Sequence, residues 1–566
     1  MKSLLWITLA VASLLPQQSS VNDGASIEGT VTRASSGEPM AGVQILLSNF
    51  TAMTDAGGHF SIANITPGSY AVMARRDGFI GVGLNPSIGN NSAAIGRLTL
   101  APREKVDDLL IELLATGVIS GRVVSSDGTP IPNFIIQGLR RTYSDGQERI
   151  APFNLPNVTR TDDRGNYRVS GLPPGEYFIL VQPPPAQQMG TGPMAAYYPG
   201  TRDPNRASAI AVREGAETSN IDFTLQSGPA VSITAYVVPE SPDAIPSQLS
   251  AGPVPANPDL GLITMFGFSY NMTTTPPGQF TIRGFPIAAG PYNLVVTATG
   301  PRMDYFGTVP IEVRDSPITE LAVPLHPGVE IPGHITIQGN AADVKLTSVP
   351  ITLRSPTYNT ANRARNLETS ALTAAVRAQL GAEAAVAAAN AASTAESGLV
   401  GDGNFLIRSV PAGQFTISPS TTFSGNTCLI DVTQEGFSLL DSGLVLDGKK
   451  PMPLEAVIST NCASLEGELV DAEKPRAFGR AVLIPDAPHR QSYGMYRTVI
   501  ADAHGRFTFD GVPSGSYQIF SWNAIPDNAW TVDKIMMPYE GKGTSVKVTP
   551  GAHITGLKVQ RIRTAM

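Results

Sequence analysis

The sequence contains six histidines, the side chains that most often hold a catalytic zinc ion. A zinc peptidase needs closely spaced His and Glu ligands that leave one coordination position for water. No histidine begins an HExxH or HxxE motif; the nearest approach is the segment HPGVEIPGH, where His326 and His334 flank Glu330. This segment is typical of a turn that enters a strand, so we interpret it as structural. Because GxSxG, P-loop, GxGxxG and CxxC motifs are also missing, we predict neither an enzyme nor a bound cofactor.

Several aspartates could supply oxygen ligands to a calcium ion. Asp162 and Asp163 are adjacent, and Asp402 lies in the segment GDGN. The spaced acidic ligands and the distal Glu of an EF-hand loop are missing, whereas an Asp side chain readily accepts hydrogen bonds from backbone amides in a tight turn. We therefore favour turn capping and predict no metal site, with calcium bridging between modules as the alternative.

Two groups of aromatic residues are candidates for ligand binding. Tyr197 and Tyr198 lie in the Pro/Gly-rich segment AAYYPG, and Trp522, Trp530 and Tyr539 follow the last of the repeats described below. Loops on a rigid β-sandwich often carry binding residues, and aromatic rings suit both glycans and proteins. The alternative is packing across the junctions between modules.

Cys428 and Cys462 are the only cysteines. In an oxidising compartment this pair predicts one disulfide, which would constrain the unfolded chain by roughly 3 to 4 kcal/mol. The alternative is two unpaired, buried thiols.

These candidates sit on a repeated framework. Residues 161–181 read TDDRGNYRVSGLPPGEYFILV, and related segments begin at 54, 276, 401 and 501. The Asp and Gly residues favour a tight turn, after which alternation directs Tyr167 and Val169 towards the core. The segment GLPPG makes a second turn, and Tyr177 then begins the inward positions of a returning strand. We predict that each unit is a β-hairpin.

The spacing of the inward aromatic residues supports this interpretation. Two of them lie ten positions apart in four copies and twelve apart in the remaining one, and each ring that is buried provides a large apolar area for the core. The pairs are Phe60 and Tyr70, Tyr167 and Tyr177, Phe280 and Tyr292, Phe405 and Phe415, and Phe507 and Tyr517.

Related opening strands precede these units, and alternating apolar segments follow several of them. The opening strands read SIEGTV, VISGRV, AVSITA, EIPGHI and SLEGEL, and the closing segments include IDFTLQ, LAVPLH and LKVQRI. Together they make about seven strands in roughly 100 residues, which is the size of a two-sheet sandwich. The abundance of Gly (55) and Pro (47) is also typical of short strands joined by turns, so we predict an all-β chain.

Charge and hydropathy limit the partners and the location. The net charge is −7 and the sequence has no long Lys/Arg block, so we expect no nucleic acid partner. Lys2 is followed by an apolar run from Leu4 to Leu15, which suits the core of a signal peptide and is too short to cross a bilayer. We expect removal of residues 1–20, no transmembrane segment afterwards, and an exported monomer that is periplasmic, cell-surface or extracellular. A buried N-terminal strand is the alternative.

One stretch departs from the β pattern. Residues 371–395 read ALTAAVRAQLGAEAAVAAANAASTA, and Leu372, Val376 and Leu380 fall at helical spacing. We predict a helical insertion at 367–398.

The segments EGTVTRASSGEPMAGVQILL and TDAGGHFSIANITPGSY, with ARRDGF after them, resemble the carboxypeptidase regulatory-like domain. GRVVSSDGTPIPNF with TDDRGNYRVSGLPPGEY resembles the same family, as does the last repeat. The resemblance implies prealbumin-like β-sandwiches that are accessory to catalysis in the metallopeptidases, and it implies glycan binding as an alternative role. The chain is also similar in two segments to large secreted bacterial proteins built of such repeats.

We therefore predict a tandem array of about five prealbumin-like seven-stranded β-sandwiches. We name them modules one to five, with the ranges 21–116, 117–227, 228–327, 328–459 and 460–566. The expected function is a non-catalytic, rigid and extended scaffold or adhesion protein of the bacterial cell envelope or surface, with an envelope protein or a glycan as partner. A carbohydrate-binding protein that uses the loop aromatics is the alternative, and a hydrolase with carboxylates from distant strands is the third hypothesis.

Overall fold

The computed structural model describes residues 23–81, 94–153, 159–184, 191–203, 206–229, 232–240, 248–256, 269–270, 279–283, 290–299, 304–314, 316–340, 344, 351–355, 398–401, 403–419, 423, 425–472, 474–475 and 477–564. The predicted signal peptide, the Ala-rich stretch 371–395 and Asp402 lie outside these residues. The described part of the chain is all-β, as predicted.

Module one forms two four-stranded sheets, which is one strand more than predicted. In chain order its strands are β1 (Ala25–Arg33), β2 (Gln44–Leu47), β3 (Phe50–Met53), β4 (His59–Ile65), β5 (Gly68–Arg75), β6 (Phe79–Gly81), β7 (Ala94–Leu100) and β8 (Lys105–Ala115). The sheet orders are β4-β1-β8-β6 and β3-β2-β5-β7. One hydrophobic cluster fills the space between the two sheets.

Module two repeats the two-layer plan with additional short strands. They are β9 (Gly117–Ser125), β10 (Ile135–Ser144), β11 (Gln147–Pro152), β12 (Thr159–Arg160), β13 (Asn166–Leu172), β14 (Gly175–Gln182), β15 (Thr191–Pro193), β16 (Ala196–Tyr197), β17 (Ile210–Val212), β18 (Glu217–Thr218), β19 (Phe223–Leu225) and β20 (Ser227–Pro229). One layer has the order β11-β10-β14-β16, and in the other β9 pairs with β13, β18 and β19.

Module three, where the repeat is most degenerate, has its described strands in one continuous hydrogen-bonded path, β23-β22-β25-β26-β27-β21-β24. The two layers join because the long strand β26 pairs with β25 along its length and with β27 at its start. The strands are β21 (Ser232–Pro239), β22 (Gln248–Pro255), β23 (Ser269–Tyr270), β24 (Gln279–Arg283), β25 (Gly290–Thr299), β26 (Asp304–Val313) and β27 (Ile318–Pro327).

Module four contains β28 (Val329–Gln338), β29 (Ile351–Arg354), β30 (Gly398–Gly401), β31 (Asn404–Val410), β32 (Gly413–Pro419), β33 (Cys428–Gln434), β34 (Phe437–Ser438), β35 (Leu444–Leu446) and β36 (Leu454–Ser459). Its sheets have the orders β30-β31-β28-β36-β33-β34 and β29-β32-β35. The predicted disulfide is present between Cys428 and Cys462, so the alternative of free thiols is wrong.

Module five contains β37 (Ala463–Asp471), β38 (Lys474–Pro475), β39 (Arg480–Pro485), β40 (Arg497–Ile500), β41 (Arg506–Val512), β42 (Gly515–Trp522), β43 (Thr544–Val548) and β44 (His553–Ile562). Its central path is β38-β37-β44-β42-β39-β40. It also carries the helix α1 (Asp533–Met536) and the 3₁₀ helices His489–Gln491, Tyr493–Met495, Ala529–Thr531 and Met537–Tyr539. None of the helices in the described part of the chain has the length and apolar character needed to span a bilayer.

The two strands of each repeated unit pair with other strands and not with each other, so the predicted β-hairpin is wrong. In module two, β13 pairs with the opening strand β9, whereas β14 pairs with β10 in the opposite layer. The turn between them therefore carries the chain from one layer of the sandwich to the other. Gly171 has a φ of 79° just before this turn, a backbone conformation that breaks the ladder and that glycine adopts without steric cost.

Eight of the ten inward aromatic residues are buried as predicted, Tyr70 is partly buried, and the Phe280 side chain lies outside the described part of the chain. Tyr167 and Tyr177 both lie in the core of module two. The Tyr177 hydroxyl donates a hydrogen bond to the Pro173 carbonyl in the turn (2.8 Å), and Tyr70 and Tyr517 make the same bond to Thr66 and Pro513. These bonds fasten the crossing turn to the core. Burial raises the pKa of Tyr177 to about 12, so the phenol stays protonated and able to donate.

A glycine in the opening strand lies opposite the first aromatic residue of the unit in four modules. The pairs are Gly29 with Phe60, Gly121 with Tyr167, Gly333 with Phe405, and Gly467 with Phe507. At Gly467 a Cβ atom would lie only 2.6 Å from both the Phe507 ring and the Leu557 carbonyl oxygen. The missing side chain thus makes room for the ring and for the closing strand. Module three has Ala235 opposite Phe280 at this position.

We predict that Gly121→Ala destabilises module two by about 1 to 3 kcal/mol, because its Cβ would collide with the Ile221 carbonyl. Gly138 in the same module is the matched control, since a Cβ there meets no atom within 4 Å. Hydrogen exchange of the β9 and β13 amides measures the local opening free energy. Equal protection in Gly121→Ala and Gly138→Ala would contradict the steric role of the glycine.

Candidate functional site

Tyr197 is buried, with 5% of its surface exposed. It packs with Leu139, Phe178 and Leu180 on the side of β14 that faces away from the module two core. Burial raises its pKa, with a smaller contribution from Tyr292 of module three. Tyr198 is half-buried and makes an edge-to-face contact with Phe223, with ring centroids 5.9 Å apart. The ring of Tyr197 therefore presents no open face in this conformation.

The structure brings Trp522, Trp530 and Tyr539 together, but as a packed cluster. The rings of Trp522 and Trp530 are nearly parallel with centroids 6.4 Å apart, and Tyr539 meets Trp522 edge to face at 5.7 Å. Phe520 stacks on Trp522 itself, with ring centroids 5.1 Å apart, and the Arg480 guanidinium lies 5.5 Å from the Trp530 ring. Trp522 and Trp530 are buried, so the geometry favours packing over ligand stacking.

The aspartates of the repeats cap turns. Asp162 Oδ1 accepts hydrogen bonds from the Arg164 amide (2.9 Å) and the Asn166 amide (2.7 Å). Asp55 and Asp502 accept the equivalent pairs of bonds in modules one and five. Burial would raise the pKa of Asp162, but the hydrogen bonds from Asn166 and Arg164 outweigh it and lower the pKa.

The histidines lie apart from one another on the described surface, and five of them contact a polar side chain. Examples are His326 with Glu240 (2.6 Å), His334 with Asn404 (3.1 Å) and His489 with Asp441 (3.0 Å). In the part of the chain that the structure describes, no three His, Cys, Asp or Glu side chains converge as metal ligands would.

A shallow polar groove of about 670 Å³ lies on module two, away from the predicted aromatics. It crosses the outer face of β9 and β13, where alternation points Arg122 and Arg168 to solvent. Arg160 lies at the end of the groove, and the remaining lining residues are mostly Ser, Asn, Thr and Asp. The outward positions GRV and YRV of the repeat are the only sequence feature that could have indicated this surface.

The groove carries donor groups that its acids do not neutralise. Asp162 and Asp222 each accept hydrogen bonds from backbone amides through one carboxylate oxygen. Asp222 Oδ1, for example, accepts a bond from the Arg122 amide at 2.8 Å. Arg122 Nε donates to the Arg164 carbonyl at 2.9 Å, and Arg168 forms a 3.2 Å ion pair with Glu217. The other guanidinium N–H groups of Arg122 have no partner among the described residues. Such a surface can donate hydrogen bonds to hydroxyl or carboxylate oxygens of a ligand.

Residues 26–86, which include most of β1 and all of β2 to β6 but neither β7 nor β8, match the carboxypeptidase regulatory-like domain family. This part of module one is therefore similar to a carboxypeptidase regulatory-like domain. This confirms the resemblance inferred from EGTVTRASSGEP and TDAGGHFSIANITPGSY, whereas the assignment of modules two and five to the family stays a prediction. No curated protein sequence matches the chain.

Solved structures with weak similarity include the Bacillus anthracis TIE protein, at 14% identity and a TM-score of 0.16. That match covers 54% of this chain, which spans only 51% of the TIE protein. The minor pilin GBS52 of Streptococcus agalactiae matches at 15% identity over 36% of this chain and 97% of the pilin, with a TM-score of 0.20. The major pilin subunit BcpA of Bacillus cereus matches at 10% identity over 79% and 98%, with a TM-score of 0.14. TM-scores of this size support no functional argument.

We predict that Trp530→Ala destabilises module five by about 3 to 5 kcal/mol, because removal of a buried indole leaves a cavity. Met537 lies seven residues along the same segment with 65% of its surface exposed, so Met537→Ala should change stability by less than about 0.5 kcal/mol. Urea unfolding followed by circular dichroism measures both. An unchanged midpoint for Trp530→Ala would restore the interpretation of this ring as a ligand platform.

Proposed function

We propose that the protein is a non-catalytic, exported scaffold or adhesion protein of the bacterial cell envelope or surface. The observation that supports this most is that side chains which could act in catalysis or metal binding have structural roles instead. Asp55, Asp162 and Asp502 cap turns, and the two cysteines form a disulfide. A disulfide is stable in oxidising compartments, which agrees with export.

The multi-module construction also supports a scaffold. Five hydrophobic clusters follow one another along the chain, and apart from Ala477 and Phe478 each stays within one of the five proposed modules. Rigid sandwiches hold their surface loops at fixed separations, which is what an adhesion protein requires of its frame. The partner in this proposal is an envelope protein, and the protein acts as a monomer.

Carbohydrate binding is the second candidate, and the groove on module two now favours it more than the aromatic residues do. Tyr197, Trp522 and Trp530 are covered, whereas Arg122 and Arg168 face solvent beside hydroxyl and amide groups. This surface suits a glycan that carries carboxylate groups, because guanidinium groups bind carboxylates through paired hydrogen bonds.

A single binding experiment separates these functions. The protein without residues 1–20 is titrated onto purified envelope proteins, a neutral glycan and a uronate-containing glycan, alongside Arg122→Ala and Arg168→Ala. Arg103→Ala is the matched control, because Arg103 is an exposed arginine paired with Asp23 on module one. Saturable binding to envelope proteins that all variants retain is the result expected for the scaffold.

The alternative outcomes are distinct. Uronate binding that both groove variants weaken about tenfold, and that Arg103→Ala preserves, would favour the second candidate, since a charged hydrogen bond is worth roughly 1.5 to 3 kcal/mol. Cleavage of any of these partners during the titration would contradict the proposal and favour the hydrolase hypothesis.

A further inference from the structure

Module five contacts modules one, two and four, although only module four precedes it directly in the chain. Phe478 and Ala477, in the segment between β38 and β39, belong to the hydrophobic cluster of module one. The structure therefore differs from the extended string of modules expected from the sequence, in which each module would touch only its neighbours.

Phe478 forms the apolar part of the contact with module one. Only 5% of its surface is exposed, and the ring rests on Gly96 in β7, where a Cβ atom would overlap the ring. Because glycine has no Cβ atom, Gly96 leaves room on this edge strand for the aromatic ring to pack against the backbone. Burial of such a ring is a substantial contribution to any contact.

Arg561 forms the polar part of the same contact. Its guanidinium lies 3.1 Å from Glu112 Oε2 of module one and 3.0 Å from Asp471 Oδ2 of module five. Only 8% of the Arg561 side chain is exposed. A guanidinium shared between two carboxylates is a well-neutralised arrangement for a buried charge, and it ties the closing strand β44 to β8.

Module two meets module five at the tip of the β10–β11 hairpin. Its turn residues Asp145 and Gly146 both have positive φ, and the Gly146 amide donates to Thr531 Oγ1 at 3.2 Å. Two residues further on, Glu148 Oε2 lies 2.6 Å from Lys534 Nζ. Asp145 Oδ2 lies 3.6 Å from Arg354 Nη1 of module four, so three modules converge on this tip.

The junction between modules four and five is of a different kind because it is covalent. Cys462 directly precedes β37, the first strand of module five, and Cys428 begins β33 of module four. The Cys462 amide also donates to the Asn426 carbonyl at 2.8 Å. The disulfide therefore holds the start of module five on module four whether or not the other contacts are made.

We propose that module five is a releasable clasp that closes the chain on itself. Phe478 makes the apolar contact with module one, and the β10–β11 tip makes the polar contact with module two. The disulfide keeps module five attached to module four. When the clasp opens, module five leaves modules one and two and stays on module four. Opening exposes the apolar surface around Gly96 and the Phe478 ring, so the closed state also shields two apolar surfaces from solvent.

Distances between paired nitroxide labels test the clasp, and both native cysteines are bonded, so introduced cysteines can be labelled selectively. One pair, Asp163→Cys with Lys547→Cys, spans modules two and five. The other, Lys450→Cys with Lys547→Cys, spans modules four and five. Phe478→Ala and Lys534→Glu should each lengthen and broaden the 163–547 distance and leave the 450–547 distance unchanged. The closed-to-open ratio should fall by about tenfold in Phe478→Ala, because the buried ring is lost.

Matched variants exclude general effects. Phe437→Ala removes a ring that is 74% exposed on module four, and Lys449→Glu reverses a lysine whose pair with Asp447 lies within one turn. Neither should alter the 163–547 distance. Lys534 is itself exposed, so Lys534→Glu tests the contact between modules two and five even if Phe478→Ala folds poorly. An unchanged 163–547 distance in folded Lys534→Glu and Phe478→Ala, or an equal change in the two controls, would overturn the proposal.

Discussion

Four of the five sandwiches depend on one steric constraint, the absence of a side chain on the opening strand opposite the first aromatic residue of the unit. Gly467 shows this most directly, because the Phe507 ring and the Leu557 carbonyl occupy the space that a Cβ atom would need. The glycine lets three groups meet at one point: the opening strand, the core ring and the closing strand. Because the opening strand pairs antiparallel with one of these and parallel with the other, the whole layer is organised around it.

The second element of the framework is the turn that crosses between layers. In module two it places the two aromatic residues of the unit in different sheets, and the Tyr177 hydroxyl then binds the turn from the core side. Asp162 and its equivalents hold the preceding turn through backbone amides. These polar groups therefore build the sandwich, whereas Arg122 and Arg168 lie on the outer faces of strands and point to solvent.

The aromatic residues outside the repeat show how a loop can be mistaken for a binding site. Tyr197 and Trp530 lie in irregular segments, which usually run over the surface. Here the inward strands β14 and β42 are apolar on both sides, and these segments cover their outer faces. In β14 the continuous apolar run from Tyr177 to Val181 indicates that both faces of the strand are covered.

The sequence alone was enough to predict the all-β class, the positions of the repeats, most of the inward aromatic residues, the turn-capping aspartates and the family that residues 26–86 resemble. All of these rest on local physics: alternation in a strand, backbone preferences of Gly and Pro, and hydrogen bonds that span two to four residues. The three-dimensional fold was needed to show that the two strands of a unit do not pair with each other, because a tight turn between apolar strands is compatible with either pairing. It also decided which aromatic rings are covered and that Phe478 reaches module one. The Phe478 contact joins residues that are hundreds of positions apart and the packing of Tyr197 joins residues from different strands, and no local pattern records such contacts.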